Sequence, residues 1–155
     1  MIKITRQILI SAPKDSVQMY LRDLTNLAEY EQKVEAVDVT YPDSETGLVE
    51  VQGRFLGFPW RGAFKMEFTR DGGFRSEMVR GPLRKMAEGY HLRPVAGGTV
   101  LTHEEQYQFP IFLQPIMRFL LGRIARTIDV ELGAIKEGSE RLNRRIQLKK
   151  IESAG

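Results

Sequence analysis

Up to Phe109 the chain alternates apolar and polar residues between glycine-rich turns; beyond it the apolar positions recur at three- and four-residue steps. Ile2, Ile4, Ile8 and Ile10 against Lys3, Thr5, Gln7 and Ser11 have the two-residue period of a half-buried strand, with Arg6 as the one polar interruption. Ser11-Ala12-Pro13-Lys14-Asp15 then opens a short helix carrying Val17, Tyr20, Leu21 and Leu24. Asn26 with Glu29 three residues on predicts a capping box and a second short helix through Leu27 and Tyr30. Neither helix is long enough to stand alone, so both must pack.

From Val34 the strands follow one another. Val34 to Tyr41 is a strand, Pro42 to Gly47 a turn, and Val49, Val51, Gly53 and Phe55 form one face of the next strand. A two-residue loop at Gly57-Phe58 would set Phe55 opposite Trp60, Gly53 opposite Gly62, Val51 opposite Phe64 and Val49 opposite Met66. Facing glycines predict a sharp bend or the close approach of a neighbouring group. A three-residue loop at Asp71-Gly72-Gly73 sets Phe68 opposite Ser76 and Met66 opposite Met78, whereas a two-residue loop would set both against charges. Gly81-Pro82 leads into Arg84 to Pro94, and Gly97-Gly98 joins that segment to Thr99 through Phe109. Pro110 and Pro115 mark the exit from the sheet.

Phe112 to Leu148 reads as one long amphipathic helix, with Met117, Leu121, Ile124, Ile128, Leu132 and Ile135 on one stripe. The only apolar surface that can take this stripe is the sheet. The fold class is therefore α+β: a curved antiparallel sheet of about seven strands around a long C-terminal helix, with two short helices between the first and second strands. One helix is narrower than such a sheet, so the two can enclose a space suited to an apolar small molecule. Val51, Phe55, Trp60, Phe64, Met66 and Met78 from the sheet are predicted to line it, joined by Tyr90 and Tyr107. From the helix Met117, Leu121, Ile124 and Ile128 complete the lining.

A length of 155 residues fits one domain over residues 1–155. The absence of cysteine excludes disulfides, thiolate metal sites and a cysteine nucleophile, and with no apolar leader or membrane span it predicts a cytoplasmic protein. The net charge of +3 comes largely from Arg141, Arg144, Arg145, Lys149 and Lys150, which no aromatic residue accompanies. A solvated helix end that complements the helix dipole explains them, and nucleic acid is not an expected partner. No phosphate loop, dinucleotide fingerprint or serine-nucleophile motif implies a cofactor.

Further residues carry a resemblance. Ile8-Leu9-Ile10-Ser11-Ala12-Pro13 with Val17, then Asp23-Leu24-Thr25-Asn26-Leu27-Ala28-Glu29-Tyr30, begin it. Tyr90-His91-Leu92-Arg93-Pro94, Gly97-Gly98-Thr99 and Tyr107-Gln108-Phe109-Pro110 continue it. Together they resemble the START-like (SRPBCC) helix-grip superfamily, which includes polyketide cyclases and dehydrases, lipid-transfer domains, the birch pollen allergen group and coenzyme Q-binding proteins. The resemblance implies a hydrophobic ligand, such as a lipid, a quinone or an aromatic polyketide-like compound. It leaves open carriage, a cyclase or dehydrase activity, and a protein-interaction module with a vestigial cavity.

An even loop at Gly97-Gly98 puts Tyr90 and Leu92 on one face with His103, Glu105, Tyr107 and Phe109. Glu88, His103 and Glu105 then point into the enclosed space. Two readings fit. In one, desolvated carboxylates and an imidazole supply acid–base catalysis on a carbonyl compound, with Tyr90 and Tyr107 as donors. In the other, the same groups bond to one another or to Arg80 and Arg6, or lie at a wet cavity mouth, and orient a ligand. Only two histidines exist, and His91 faces away from His103, so no metal site is expected. Leu56-Gly57-Phe58-Pro59-Trp60 and Ile111-Phe112-Leu113 place large apolar groups at turns, where they gate the cavity, touch a membrane transiently, or pack together in a monomer or a homodimer.

Overall fold

The computed structural model describes residues 1–155. Strand β1 (Ile2–Ile10) is followed by α1 (Lys14–Arg22), a 3₁₀ turn (Leu24–Asn26) and α2 (Leu27–Tyr30). Six strands follow: β2 (Ala36–Thr40), β3 (Thr46–Phe55), β4 (Phe58–Phe68), β5 (Phe74–Arg80), β6 (Lys85–Val95) and β7 (Gly98–Gln108). A second 3₁₀ turn (Ile111–Leu113) enters the 40-residue α3 (Gln114–Ser153). All neighbouring strands are antiparallel in the order β1-β7-β6-β5-β4-β3-β2, a curved sheet gripped by one long helix.

The turns differ in detail from the sequence reading, and the reason is backbone chemistry. The β3–β4 loop is Leu56-Gly57, both at positive φ, and not Gly57-Phe58. Two successive positive-φ residues make the tight turn whose twist matches flanking strands, and Gly57 serves as its second member. Phe55 therefore faces Phe58, Gly53 faces Trp60, Val51 faces Gly62 and Val49 faces Phe64. The β4–β5 loop likewise sits one residue earlier than expected: Phe68 faces Phe74, Met66 faces Ser76 and Phe64 faces Met78. The β6–β7 loop is Ala96-Gly97, with Gly97 at φ 84, and not Gly97-Gly98, so Tyr90 faces His103 and Leu92 faces Leu101. All three registers slip by two, which preserves every side chain's face. The capping box at Asn26 is absent. Asp23 caps that turn by accepting from Thr25 N, and Asn26 Nδ2 donates instead to the Tyr20 carbonyl at 2.9 Å.

Both consequences expected of the central glycines occur, though not as a facing pair. A Cβ on Gly53 would lie 2.0 Å from the Lys33 carbonyl oxygen, so the segment after α2 lies directly on β3 there. Trp60 Nε1 donates to that same carbonyl at 2.8 Å. Next to Gly62, β4 bulges between Ala63 and Phe64 and bends the sheet.

Helix α3 divides into two parts. Ile128, Leu132 and Ile135 are buried in one cluster with Val17, Leu21 and Ile10, so this part packs solidly on α1 and β1. Polar contacts add to it: Glu140 accepts from Ser11 N at 2.8 Å, Ser16 bonds Asn143, and Arg141 pairs with Glu29. The first turns of α3, by contrast, make no side-chain hydrogen bond or ion pair with the sheet and are separated from it by a cavity.

Gly53→Ala should destabilise the protein by about 1–3 kcal/mol, because the Lys33 carbonyl must move to admit one methyl group. Urea unfolding measures this, and an unchanged midpoint would disprove the close packing.

Candidate functional site

Beneath the first turns of α3 lies a cavity of about 500 Å³ lined by 23 residues, of which 18 are hydrophobic. Strands β3 to β5 supply Val51, Phe55, Trp60, Phe64, Met66 and Met78 to its wall. Tyr107 comes from β7, and Met117 from α3. Four residues expected there stand elsewhere. Tyr90 is buried behind the wall with its ring stacked on His103 at 4.0 Å, and Ile124 and Ile128 are in the solid core. Leu121 is turned aside, and Leu120, with Leu113 and Ile116, takes the wall position. Leu120 thus continues the line from Met117 to Ile124, so one stripe of α3 serves the cavity first and the core after it.

One end of the cavity is polar. Of the three candidate chemical groups only Glu88 reaches the lining; His103 and Glu105 lie directly behind it, fully buried. Two residues that the periodicity did not reveal, Glu31 and Lys33, line the same end, and a third, Glu131 of α3, closes the cluster from above. Lys33 Nζ lies 2.9 Å from Glu105 Oε1, 3.5 Å from Glu31 Oε2 and 3.7 Å from Glu131 Oε1. The Tyr90 hydroxyl donates to Glu31 at 2.8 Å. Lys33 is therefore the counter-charge, a part for which the sequence offered Arg80 and Arg6 as one possibility. Those two arginines lie outside the cluster and pair with Glu50 and Asp129 on the surface.

Signals for these groups were weak in the chain. Glu131 lies seven residues after Ile124, on the buried stripe, and was the one visible clue. Glu31 and Lys33 lie in the irregular segment after α2, where no period marks an inward residue.

Proximity sorts the protonation states. Burial alone would lower the pKa of His103, but its hydrogen bond to Glu105 and the Glu105 charge outweigh that and raise it. The geometry agrees, since Nδ1 faces the Gly89 carbonyl at 3.1 Å and Nε2 faces Glu105 at 3.1 Å, and only the doubly protonated ring can donate to both. Burial pushes Glu105 up, yet the charge of Lys33 and the hydrogen bond from His103 hold it at about 2. Lys33 is likewise opposed by burial and kept well above its ordinary value by Glu105 and Glu131. Glu88, with burial first and the nearby Glu31 second, is raised to about 8, and Glu131 rises for the same two reasons. At neutral pH the cavity thus meets a protonated carboxyl at Glu88, backed by a charged Lys33–Glu105–His103 triplet.

Glu31, Glu88, His103 and Glu105 bring possible ligand atoms within 4.8 Å of one another, and the Lys33 ammonium lies among these groups where a cation would sit. His91 is on the other face, paired with Asp71 at 3.0 Å.

A sheet of this order around one long helix, with an apolar cavity beneath the helix, defines a helix-grip protein of the START-like class. Residues 1–146 match the family model described as polyketide cyclase / dehydrase and lipid transport, and the chain belongs to that family. Among solved structures it is similar to a protein from Thermus thermophilus, with a TM-score of 0.80 and 17% identity over 90% of this chain and 98% of that one. It is also similar to the Zhui aromatase/cyclase from a Streptomyces species, with a TM-score of 0.74 and 14% identity over 90% and 94%. A STAR-related lipid transfer protein from Xanthomonas axonopodis aligns with a TM-score of 0.67 and 14% identity over 89% and 85%. A search of curated proteins by sequence found no match.

Two predictions follow from the cluster. Lys33→Met removes the ammonium from among the buried carboxylates and should cost about 3–5 kcal/mol of unfolding free energy at neutral pH, read from urea denaturation. The second concerns pH. Folded Glu88 keeps its proton to about 8 against 4.5 for an ordinary glutamate, so its contribution to stability is complete at low pH and is lost as pH rises through that window. His103, whose folded pKa is raised above 6.5, adds to the decline, while Glu105 adds stability that is lost only as pH falls from 4.5 toward about 2. Glu88→Gln should flatten the fall in urea midpoint between pH 5 and about 8; an undiminished slope would refute the assignment.

Proposed function

We propose that the protein binds and carries a hydrophobic small molecule of the lipid, quinone or aromatic polyketide-like kind in the cavity between its sheet and α3. The observation that carries this reading is the cavity itself: about 500 Å³, with 18 hydrophobic residues among its 23. A core built only for stability closes such a space, because each unfilled volume forfeits dispersion contacts and costs stability in proportion to its size. The family assignment and the lipid-transfer neighbour support the same reading.

The polar end favours one alternative in particular. Glu88 presents a carboxylic acid to the cavity and makes no hydrogen bond to the protein, so a carbonyl oxygen placed there would receive one from it. That arrangement can polarise a carbonyl, and above about pH 8 the ionised Glu88 can remove a proton beside it. A cyclase or dehydrase-like activity would use Glu88 directly, with Lys33, Glu105 and His103 setting its charge. Tyr90 would not take part as a donor, since its hydroxyl is already bonded to Glu31.

Native mass spectrometry after gentle purification tests carriage. The protein should retain a lipophilic adduct or take up an added one. Met78→Trp, which fills the wall, should lower occupancy at least about tenfold while the fold is kept. A wild-type protein that neither retains nor takes up a lipophile would reject the reading. Recovery of an added carbonyl compound in altered form, abolished in Glu88→Gln, would favour the enzyme.

A further inference from the structure

The cavity mouth is ringed by apolar side chains that nothing in the chain covers. Phe58 at the hairpin tip and Ile116 in the first turn of α3 line the cavity and are also exposed, which places the opening between these two elements. Beside them Ile111, Phe112 and Phe119 are 78%, 76% and 89% exposed. Phe112, Ile116 and Phe119 recur at helical spacing, so they form one outward stripe about two turns long. Singly exposed apolar residues need no explanation, but a group of large ones around an apolar opening marks an interaction surface.

The hairpin tip adds a second observation. Leu56 has φ 53, a left-handed conformation that costs a bulky residue energy and that glycine or asparagine would take with little. A large apolar side chain is kept at the tip against that cost.

Charge then identifies the occupant. The three segments that frame the mouth, residues 54–61, 80–85 and 110–126, contain no carboxylate. They hold Arg84 and Lys85, which adjoin the lining residues Leu83 and Met86, and Arg118, Arg123 and Arg126 along the start of α3, and these five join none of the molecule's ion pairs. Arg54, Arg61 and Arg80 of the same segments lie instead in surface depressions beside Glu35, Asp38 and Glu50. The whole chain carries only +3, so five unpaired cations in segments without a carboxylate are a local excess. A second copy is a poor occupant, since two-fold pairing would bring the same cationic face against itself. Aromatic groups within a cationic ring suit a bilayer whose headgroups are anionic and whose interior is apolar.

We propose that this mouth docks on an anionic lipid surface, with Phe112, Ile116, Phe119 and the Leu56–Phe58 tip entering the headgroup boundary and the arginines holding the headgroups. The proposal rests on the carrier reading for its purpose, because docking would open the cavity directly to the membrane. Its own evidence is the face.

The test uses the full chain and vesicles of phosphatidylcholine, alone or with about three tenths phosphatidylserine, with bound protein read by flotation. Binding to the anionic vesicles should exceed that to neutral ones at least tenfold and should be lost at roughly 0.5 M salt. Phe112→Ser with Phe119→Ser, and separately Arg118→Glu with Arg123→Glu, should each lower it at least tenfold. Lys149→Glu with Lys150→Glu, at the far end of α3, should leave it unchanged. Circular dichroism and uptake of a lipophilic dye without vesicles, run on every variant, separate loss of fold or cavity from loss of docking. Dye uptake that fails while vesicle binding persists removes the carrier reading and leaves the docking face standing. Absence of vesicle binding overturns the docking face, as does binding that depends on Lys149 and Lys150 and not on the mouth. A sedimenting dimer that Phe112→Ser with Phe119→Ser abolishes also overturns it, because the face then belongs to a second copy.

Discussion

A single helix cannot cover a seven-stranded sheet. Six inter-strand spacings of about 4.8 Å make the sheet nearly three times as wide as a helix with its side chains, about 10 Å. Curvature narrows the gap without closing it, so the concave face must be completed by other material. At one end α1, the 3₁₀ turn after it and α2 supply it: Tyr20, Leu21, Leu24 and Leu27 fill the space beside the later turns of α3. At the other end nothing comparable follows, and the first turns of α3 span an opening. The cavity is therefore a consequence of chain order, because the two covering helices both lie before β2 and can fill only one side.

Between the filled end and the open end is a stretch of interior made of charge. Glu31, Lys33, Glu88, His103, Glu105 and Glu131 come from the α2–β2 segment, β6, β7 and α3, and they meet only in the folded state. Burying so many ionisable groups costs more than an apolar filling would, and the ion pairs recover that cost only while every partner is present. The cluster is consequently a poor device for stability. It is a good one for fixing the protonation of a single exposed member: with Lys33, His103 and Glu105 charged, Glu88 is left as an acid at the cavity wall. Tight contacts hold that geometry in place, since Gly53 and Trp60 together fix the Lys33 backbone.

Much of this was legible in the chain because strand parity is robust. The three hairpin loops at Leu56-Gly57, near Gly72 and at Ala96-Gly97 were each placed one residue away, yet the resulting slip of two left every residue on its proper face. Glu88, His103, Glu105 and Tyr107 could accordingly be assigned to the inner side from a single loop. Helical phase was less forgiving. A stripe drawn through Leu121 leaves the apolar face, whereas Leu113, Met117 and Leu120 lie against the cavity and continue in line to Ile124 and Ile128 of the core. Lys33 was invisible for a different reason: a lysine in an irregular segment is ordinarily solvated, and only the convergence of Glu31, Glu105 and Glu131 makes this one interior.

The two ends of the cavity ask different things of whatever occupies it. At the mouth the walls are apolar, and hydrocarbon or aromatic surface suffices. At the inner end Glu88 makes no hydrogen bond to the protein. A purely apolar guest would dehydrate that carboxyl and return nothing, at about 1–3 kcal/mol. On the carrier reading, a guest with one oxygen-bearing end, inserted end first, would satisfy it and leave its greasy remainder against Phe55, Trp60 and Met117. One such group at about 1.4 kcal/mol would favour an amphipathic molecule over a hydrocarbon of equal volume roughly tenfold.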